Sequence, residues 1–230
     1  MVIGGIVSRR WVSTGVMVFV LSSLSFAAGP WENTTFTGWS DQTLQELLAD
    51  SPWAGQASLS RPRGNSSEAP LIPEKALVTW TTALPMRQAL IRQAVGLNGP
   101  LNKDAEAFVS LNPNLYMVAL QISGSPAAAT YAAEAEEVRK ETFLVRTDGR
   151  APLEAQVVEG RALDKSGNVI SGPVAAPIEG GSSVFVFQFS KGLALTMIDR
   201  EVEFVTKVGN LTIKKKFKMK DMVYKGELAL

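Results

Sequence analysis

Residues 199–220 read DREVEFVTKVGNLTIKKKFKMK, and this stretch decides the fold. Gly209-Asn210 is typical of a two-residue hairpin turn, and closing the chain there places Val208 opposite Leu211. In that register one face of the hairpin is almost entirely apolar, and the other carries acids opposite lysines. A shift of one residue would destroy both patterns, so the stretch predicts an antiparallel hairpin with a fixed register.

The polar face of this predicted hairpin is a candidate binding surface. It carries four lysines, Lys214, Lys216, Lys218 and Lys220. One interpretation is a site for an acidic polymer, anionic lipid headgroups or lipopolysaccharide. The other interpretation is that acids on the preceding strand neutralise most of the lysine charge.

The register also predicts the partners of these lysines. The opposite pairs are Glu203 with Lys216, Glu201 with Lys218, and Asp199 with Lys220. Lys215 falls on the apolar face opposite Phe204, so its ammonium group must reach the rim of the core or meet a partner. Because three acids face the lysines, we favour neutralisation and expect weak or no binding to acidic polymers at physiological salt.

The rest of the chain also predicts many short strands. They are expected at 76–82, 114–122, 142–147, 153–160, 183–190 and 222–229, with helices at 85–95 and 126–140. Short strands at regular spacing are typical of a β-sandwich or barrel. We therefore predict a mainly β (α+β) fold, an antiparallel β-sandwich-like domain with a few short helices and an N-terminal helix docked on it.

The first residues predict an export signal. Arg9 and Arg10 precede an apolar run over 15–26, and Ser25-Phe26-Ala27 fits a signal-peptidase site. The apolar run is shorter than the about 20 residues that span a bilayer. Residues 1–27 are thus predicted to be a signal peptide. We expect the chain to be exported to the periplasm or the extracellular space, without a transmembrane span in the mature part.

The segments that follow the signal differ in composition. Residues 28–57 predict an N-terminal helical segment, because Ser40 can cap a helix that Asp50-Ser51-Pro52 would end. Residues 58–75 are rich in proline, serine and arginine and predict a linker. Residues 76–230 then form the predicted β-rich domain.

Four aromatic residues near the N-terminus form a second candidate site. They are Trp31, Phe36, Trp39 and Trp53. Exposed tryptophans of an exported protein can stack on sugar rings, which makes Trp39 and Trp53 candidate binding residues. The alternative, which we favour, is that these rings anchor the N-terminal helix on the β domain.

Histidine and cysteine are both absent, and their absence excludes many activities. Nucleophilic systems that use histidine and histidine-ligated metal sites cannot form, and no disulfide can form. The scattered acids show no catalytic or calcium-binding spacing. The 23 Lys and Arg against 22 Asp and Glu are atypical of a nucleic-acid-binding protein. We predict no catalytic residue, metal site, cofactor or nucleic-acid partner.

Several runs resemble an uncharacterised family of exported bacterial proteins with a Trp-bearing N-terminal helix (Ser-Pro-Trp-Ala) and a β-rich C-terminal domain. The runs are Trp31-Glu32, 38–41, 50–54, 201–207 and 220–224. The resemblance implies an exported location and a β-rich fold. It implies no activity.

These features lead to two functional hypotheses. We predict an exported cell-envelope protein that acts as a non-enzymatic interaction or structural module, with an envelope protein or glycan as its partner. The alternative is a carboxylate-dependent hydrolase that acts on an envelope glycan. Such an enzyme would hold two carboxyl groups about 5–10 Å apart in one cleft.

Overall fold

The structure, a computed structural model, describes residues 29–61, 75–97, 99–124, 128–170 and 178–230. The predicted signal peptide and residues 62–74 of the predicted linker lie outside the described residues. No helix in the described ranges is long and apolar enough to cross a membrane.

The hairpin predicted from residues 199–220 is confirmed. Strands β9 (Glu201–Val208) and β10 (Leu211–Lys218) pair antiparallel, with Val208 opposite Leu211. Gly209 has a φ of 55°, and glycine adopts this left-handed conformation without steric cost at the first turn position. Alternate side chains of both strands are buried, with Lys215 half-buried, so the hydrophobic pattern fixes the register.

The hairpin forms the centre of one five-stranded antiparallel sheet. The strand order is β2-β10-β9-β5-β6. The other strands of this sheet are β2 (Ser58–Ser60), β5 (Phe143–Arg146) and β6 (Leu153–Glu154).

A second five-stranded antiparallel sheet has the order β1-β3-β4-β8-β7. Its strands are β1 (Ala54–Gln56), β3 (Lys75–Trp80), β4 (Leu115–Ser123), β7 (Val157–Leu163) and β8 (Ser182–Ser190). A small hairpin of β11 (Val223–Tyr224) and β12 (Glu227–Leu228) follows β10.

The two large sheets pack face to face through aromatic side chains. The rings of Trp80 on β3 and Phe217 on β10 are 5.4 Å apart, and those of Phe187 on β8 and Phe204 on β9 are 5.6 Å apart. All four side chains are buried. The predicted mainly β, sandwich-like fold with short helices is confirmed.

Within the described residues, four α-helices pack around the sheets. They are α1 (Asp41–Ala49), α2 (Leu84–Val95), α3 (Lys103–Ser110) and α4 (Ala135–Lys140), and a 3₁₀ segment (Ala128–Glu134) leads into α4. Ser40 caps α1 as predicted, because its Oγ accepts a hydrogen bond from the Thr43 amide at 3.1 Å. Helix α3 was not predicted, although Asn102 caps it in the same way through the Ala105 amide.

The N-terminal segment belongs to the core of the sandwich. Leu47 and Trp53 are completely buried in the same apolar cluster as the two sheets. Residues 54–56, expected in the helical segment, form β1, and residues 58–60, expected in the linker, form β2. The chain crosses from one sheet to the other at Ala57. Backbone pairing to β3 and β10 creates these strands, and composition alone gives no sign of it.

Candidate functional site

Two of the four candidate lysines form ion pairs with the preceding strand. Lys216 Nζ lies 3.0 Å from Glu201 Oε1, and Lys214 Nζ lies 3.9 Å from Glu203 Oε2. The Cα register is the predicted one, with Lys216 opposite Glu203, but the long side chains reach diagonally to the next acid. The hydrogen bond to Glu201 raises the pKa of Lys216 above its ordinary value.

The predicted pair between Asp199 and Lys220 is wrong. Asp199 ends a 3₁₀ turn (Met197–Asp199) before β9, and its carboxylate is fully buried. It accepts hydrogen bonds from the Thr196 amide at 2.6 Å and from Arg150, and it lies 3.8 Å from Arg146 Nε. The turn directs this acid away from the lysine face, because Arg200 adopts a φ of 56° immediately before the strand.

The lysine face is therefore only partly neutralised. Lys218 is exposed and forms no ion pair with any residue that the structure describes. Lys215 is half-buried, also without a carboxylate partner in the described ranges, and its ammonium group lies 6.0 Å from the centre of the Phe217 ring. The sequence pattern singled out Lys215, but it predicted that Lys218 would pair with Glu201, which instead pairs with Lys216.

Trp39 and Trp53 are not surface residues. Their exposed fractions are 4% and 0%. The indole nitrogen of Trp53 donates a hydrogen bond to the Ala229 carbonyl at 2.8 Å, and that of Trp39 donates to the Trp31 carbonyl at 3.2 Å. Neither ring presents a face to a sugar, so the structure supports the alternative that these tryptophans anchor the N-terminal segment.

Lys215 and Lys218, the two lysines without a carboxylate partner in the described ranges, line a cleft with a volume of about 940 Å³. We call it the lysine cleft. One wall is the N-terminal segment and the other is β10 with the turn after it. Its lining comprises Gly29, Trp31, Glu32, Ser51, Pro52, Met197, Lys215–Lys218, Lys220, Asp221, Val223 and Gly226. Three of the four candidate lysines, Lys216, Lys218 and Lys220, are thus brought together, and Lys214 lies outside.

The lysine cleft runs along a sheet edge. Strand β2 pairs with β10 only from Thr212 to Lys214, while β10 continues to Lys218. Along 215–218, no strand of the described ranges pairs with this side of β10. An edge of this kind presents backbone N–H and C=O groups that an extended chain can pair with, although the Lys218 carbonyl already accepts a hydrogen bond from the Asp221 amide at 3.0 Å.

Lys215 occupies space that a glycine leaves free. A Cβ atom on Gly55 of β1 would lie 2.4 Å from Lys215 Nζ. Its ammonium group therefore sits at the corner where the chain crosses between the sheets, at the rim of the core, as predicted for a lysine on the apolar face.

The cleft has some features that an enzyme would need and lacks others. It contains two carboxylates, Glu32 and Asp221. Within the described residues, no group of three or more acids is placed to hold a metal ion. Sequence reasoning missed Gly55 and both carboxylates, because only the tertiary fold brings residues 29–55 beside 215–226.

Comparison with protein-family models, with curated proteins and with solved structures found no match for this chain.

Proposed function

We propose that the protein is a non-enzymatic interaction module of the bacterial cell envelope, and that its lysine cleft binds an extended acidic segment of a partner protein. The proposal places the chain outside the cytoplasm, as the predicted signal peptide and the resemblance to exported bacterial proteins imply. The observation that carries it is the unpaired edge of β10, flanked by two lysines that lack carboxylate partners among the described residues.

The charge of the cleft favours an anionic partner over a neutral one. Lys215 and Lys218 stand at the same edge, and Glu201 neutralises only their neighbour Lys216. Partner carboxylates at this edge would each meet a cation that has no carboxylate partner in the described structure. Exposed pairs of this kind contribute up to about 1 kcal/mol each.

The open edge favours a peptide over a polysaccharide. An extended peptide can add a strand to an exposed edge, so that backbone hydrogen bonds supply affinity and side chains supply specificity. Lysines on such an edge disfavour pairing with a second copy of the same strand, because like charges would face each other. The same lysines attract a strand that carries acidic side chains.

The alternative function is a carboxylate-dependent hydrolase. It is supported by the presence of Glu32 and Asp221 in one cleft. An enzyme of this class needs both carboxyl groups, so the double variant Glu32→Gln with Asp221→Asn would abolish glycan hydrolysis. The binding proposal expects no hydrolysis of envelope glycan by the unmodified protein, and release of reducing sugar would favour the enzyme.

Binding is tested with two labelled probes of matched charge. One is a peptide of alternating glutamate and threonine, and the other is an oligogalacturonate, which carries carboxylates without a peptide backbone. We expect fluorescence anisotropy to show binding of the peptide, weakened by added salt, and weaker binding of the sugar. Equal or tighter binding of the sugar would favour a glycan partner.

Matched variants on the same strand locate the site. Lys215→Gln and Lys218→Gln each remove one charge from the cleft, and each should weaken peptide binding by up to about fivefold. Lys214→Gln removes one charge outside the cleft and should leave binding unchanged. A loss that is equal in all three variants would indicate a diffuse charge effect and would contradict the proposal.

A further inference from the structure

A second cleft, of about 700 Å³, lies on another part of the surface and shares no lining residue with the lysine cleft. We call it the arginine cleft. Its cationic wall is formed by Arg87 on α2 and Lys191, which follows β8. Tyr116 on β4 lies beside them.

Arg87 is a buried cation whose hydrogen bonds are only partly satisfied. The residue is 9% exposed, and its Nη1 atom donates hydrogen bonds to the carbonyls of Phe108 and Leu111 at the end of α3. The Nε atom is buried and has no hydrogen-bond partner among the described residues. Burial lowers the pKa of Arg87 below its ordinary value. The Nη1 atom therefore has a structural role, and Nε remains without an acceptor.

Lys191 places a second positive charge in the same cleft. Its ammonium group lies 5.0 Å from the centre of the Tyr116 ring. Burial lowers the pKa of Lys191, and the charge of Arg87 lowers it further. Two like charges in one partly buried cleft cost free energy unless an anion compensates them.

No described carboxylate supplies that compensation. Glu227 lines the cleft but is exposed, and no acid in the described ranges lies within 4.0 Å of a nitrogen of Arg87 or Lys191. The hydroxyl of Tyr116 accepts a hydrogen bond from the Leu195 amide at 2.8 Å. The Tyr116 hydroxyl donates its own proton to no described residue. This hydroxyl can therefore donate a hydrogen bond to an anion.

One wall of the cleft is apolar, although Thr82, Ser110, Asn112 and Glu227 also contribute to its lining. The aliphatic side chains in its lining include Leu84, Leu111, Leu195 and Leu228. Leu111 is 54% exposed. A ligand that covered Leu111 would bury apolar surface while its charged end met Arg87 and Lys191.

We infer that the arginine cleft binds a small organic anion that carries a hydrocarbon group, such as a carboxylate or phosphate ester. The anionic group contacts the Lys191 ammonium group and the Tyr116 hydroxyl in the positive field of Arg87, and the hydrocarbon group contacts the aliphatic wall. The volume lies within the range of small-molecule sites. This inference is independent of the function proposed for the lysine cleft.

Calorimetric titration of the purified protein with four probes tests the inference. Octanoate and octyl phosphate should bind. Octanol, which has no charge, and inorganic phosphate, which has no hydrocarbon group, should each bind at least about tenfold more weakly. Octanol binding as tightly as octanoate would show a merely apolar cleft, and inorganic phosphate binding as tightly would show an ion site alone. Either result, or no octanoate binding at millimolar concentration, would overturn the inference.

Variants then assign the site. Lys191→Met keeps the apolar stem and should weaken octanoate binding at least about tenfold, whereas Lys191→Arg should restore most of it. Lys165→Met changes the same charge at an exposed turn outside both clefts and is the control. Unchanged octanoate affinity in Lys191→Met would contradict the inference. Lys215→Gln, in the lysine cleft, should not alter octanoate binding. The proposals for the two clefts can therefore be refuted independently.

Discussion

Asp199→Asn is the substitution for which the structure and the sequence pattern predict the most different losses of stability. The hairpin register predicted Asp199 as a surface acid opposite Lys220, where its removal would cost less than about 1 kcal/mol. In the structure its carboxylate is fully buried beside Arg146, whose side chain is 1% exposed. The two interpretations therefore give different free energies of unfolding.

The size of the expected loss in unfolding free energy follows from the unpaired charge that Asp199→Asn leaves behind. Arg146 would remain buried without its counter-ion, and breaking a buried ion pair at one partner costs about 3–5 kcal/mol. Asparagine keeps the shape of the side chain and one acceptor for the Thr196 amide. The loss of stability therefore measures the effect of removing the charge. For a chain of this size the melting temperature should fall by about 6–20 °C.

The assay is urea unfolding followed by circular dichroism, with Glu203→Gln as the matched control. Glu203 lies on the same hairpin and pairs with Lys214 at 3.9 Å, at a partly exposed position. The control should cost less than about 1 kcal/mol. A free energy of unfolding for Asp199→Asn within about 1 kcal/mol of the control would refute the buried network.

Three further predictions concern the hairpin and export. Glu203→Lys places two lysines opposite each other at Lys216, and the urea midpoint should fall, but by less than in Asp199→Asn; an unchanged midpoint would contradict the register. The protein should elute from a heparin column at or below physiological salt, because two of the four candidate lysines are paired and an open-edge site selects an extended peptide. Elution well above that salt, lost when Lys214, Lys216 and Lys218 are changed to glutamine, would show a general polyanion site. N-terminal sequencing of the exported form should begin at Ala28, and an intact Met1 in a membrane-embedded product would contradict the predicted signal.

The sequence was most informative where side chains alternate between two environments. In the hairpin, Val208 and Leu211 fix the register because a slip would expose every apolar residue. The same local pattern predicted the sheet strands β3, β4 and β8 to within about two residues, since alternation is a property of neighbouring positions.

The sequence was least informative where distant segments meet. Strand β2 has little apolar character and exists because its backbone pairs with β10. The lysine cleft depends on Gly29–Glu32 lying beside residues 215–226, which no local spacing encodes. The burial of Asp199 likewise depends on Arg146 and Arg150, about 50 residues earlier in the chain. Tertiary contacts of this kind override the pattern of a single strand.

Amide hydrogen exchange along β10 tests the central proposal most directly. The protein is compared free and with the peptide of alternating glutamate and threonine. If the peptide adds a strand to the open edge, amides within Lys215–Lys218 that face this edge should become protected, while the amides of β7, one of the two edge strands of the other sheet, should not change. Peptide binding without added protection at 215–218, or with protection at β7 instead, would contradict the account.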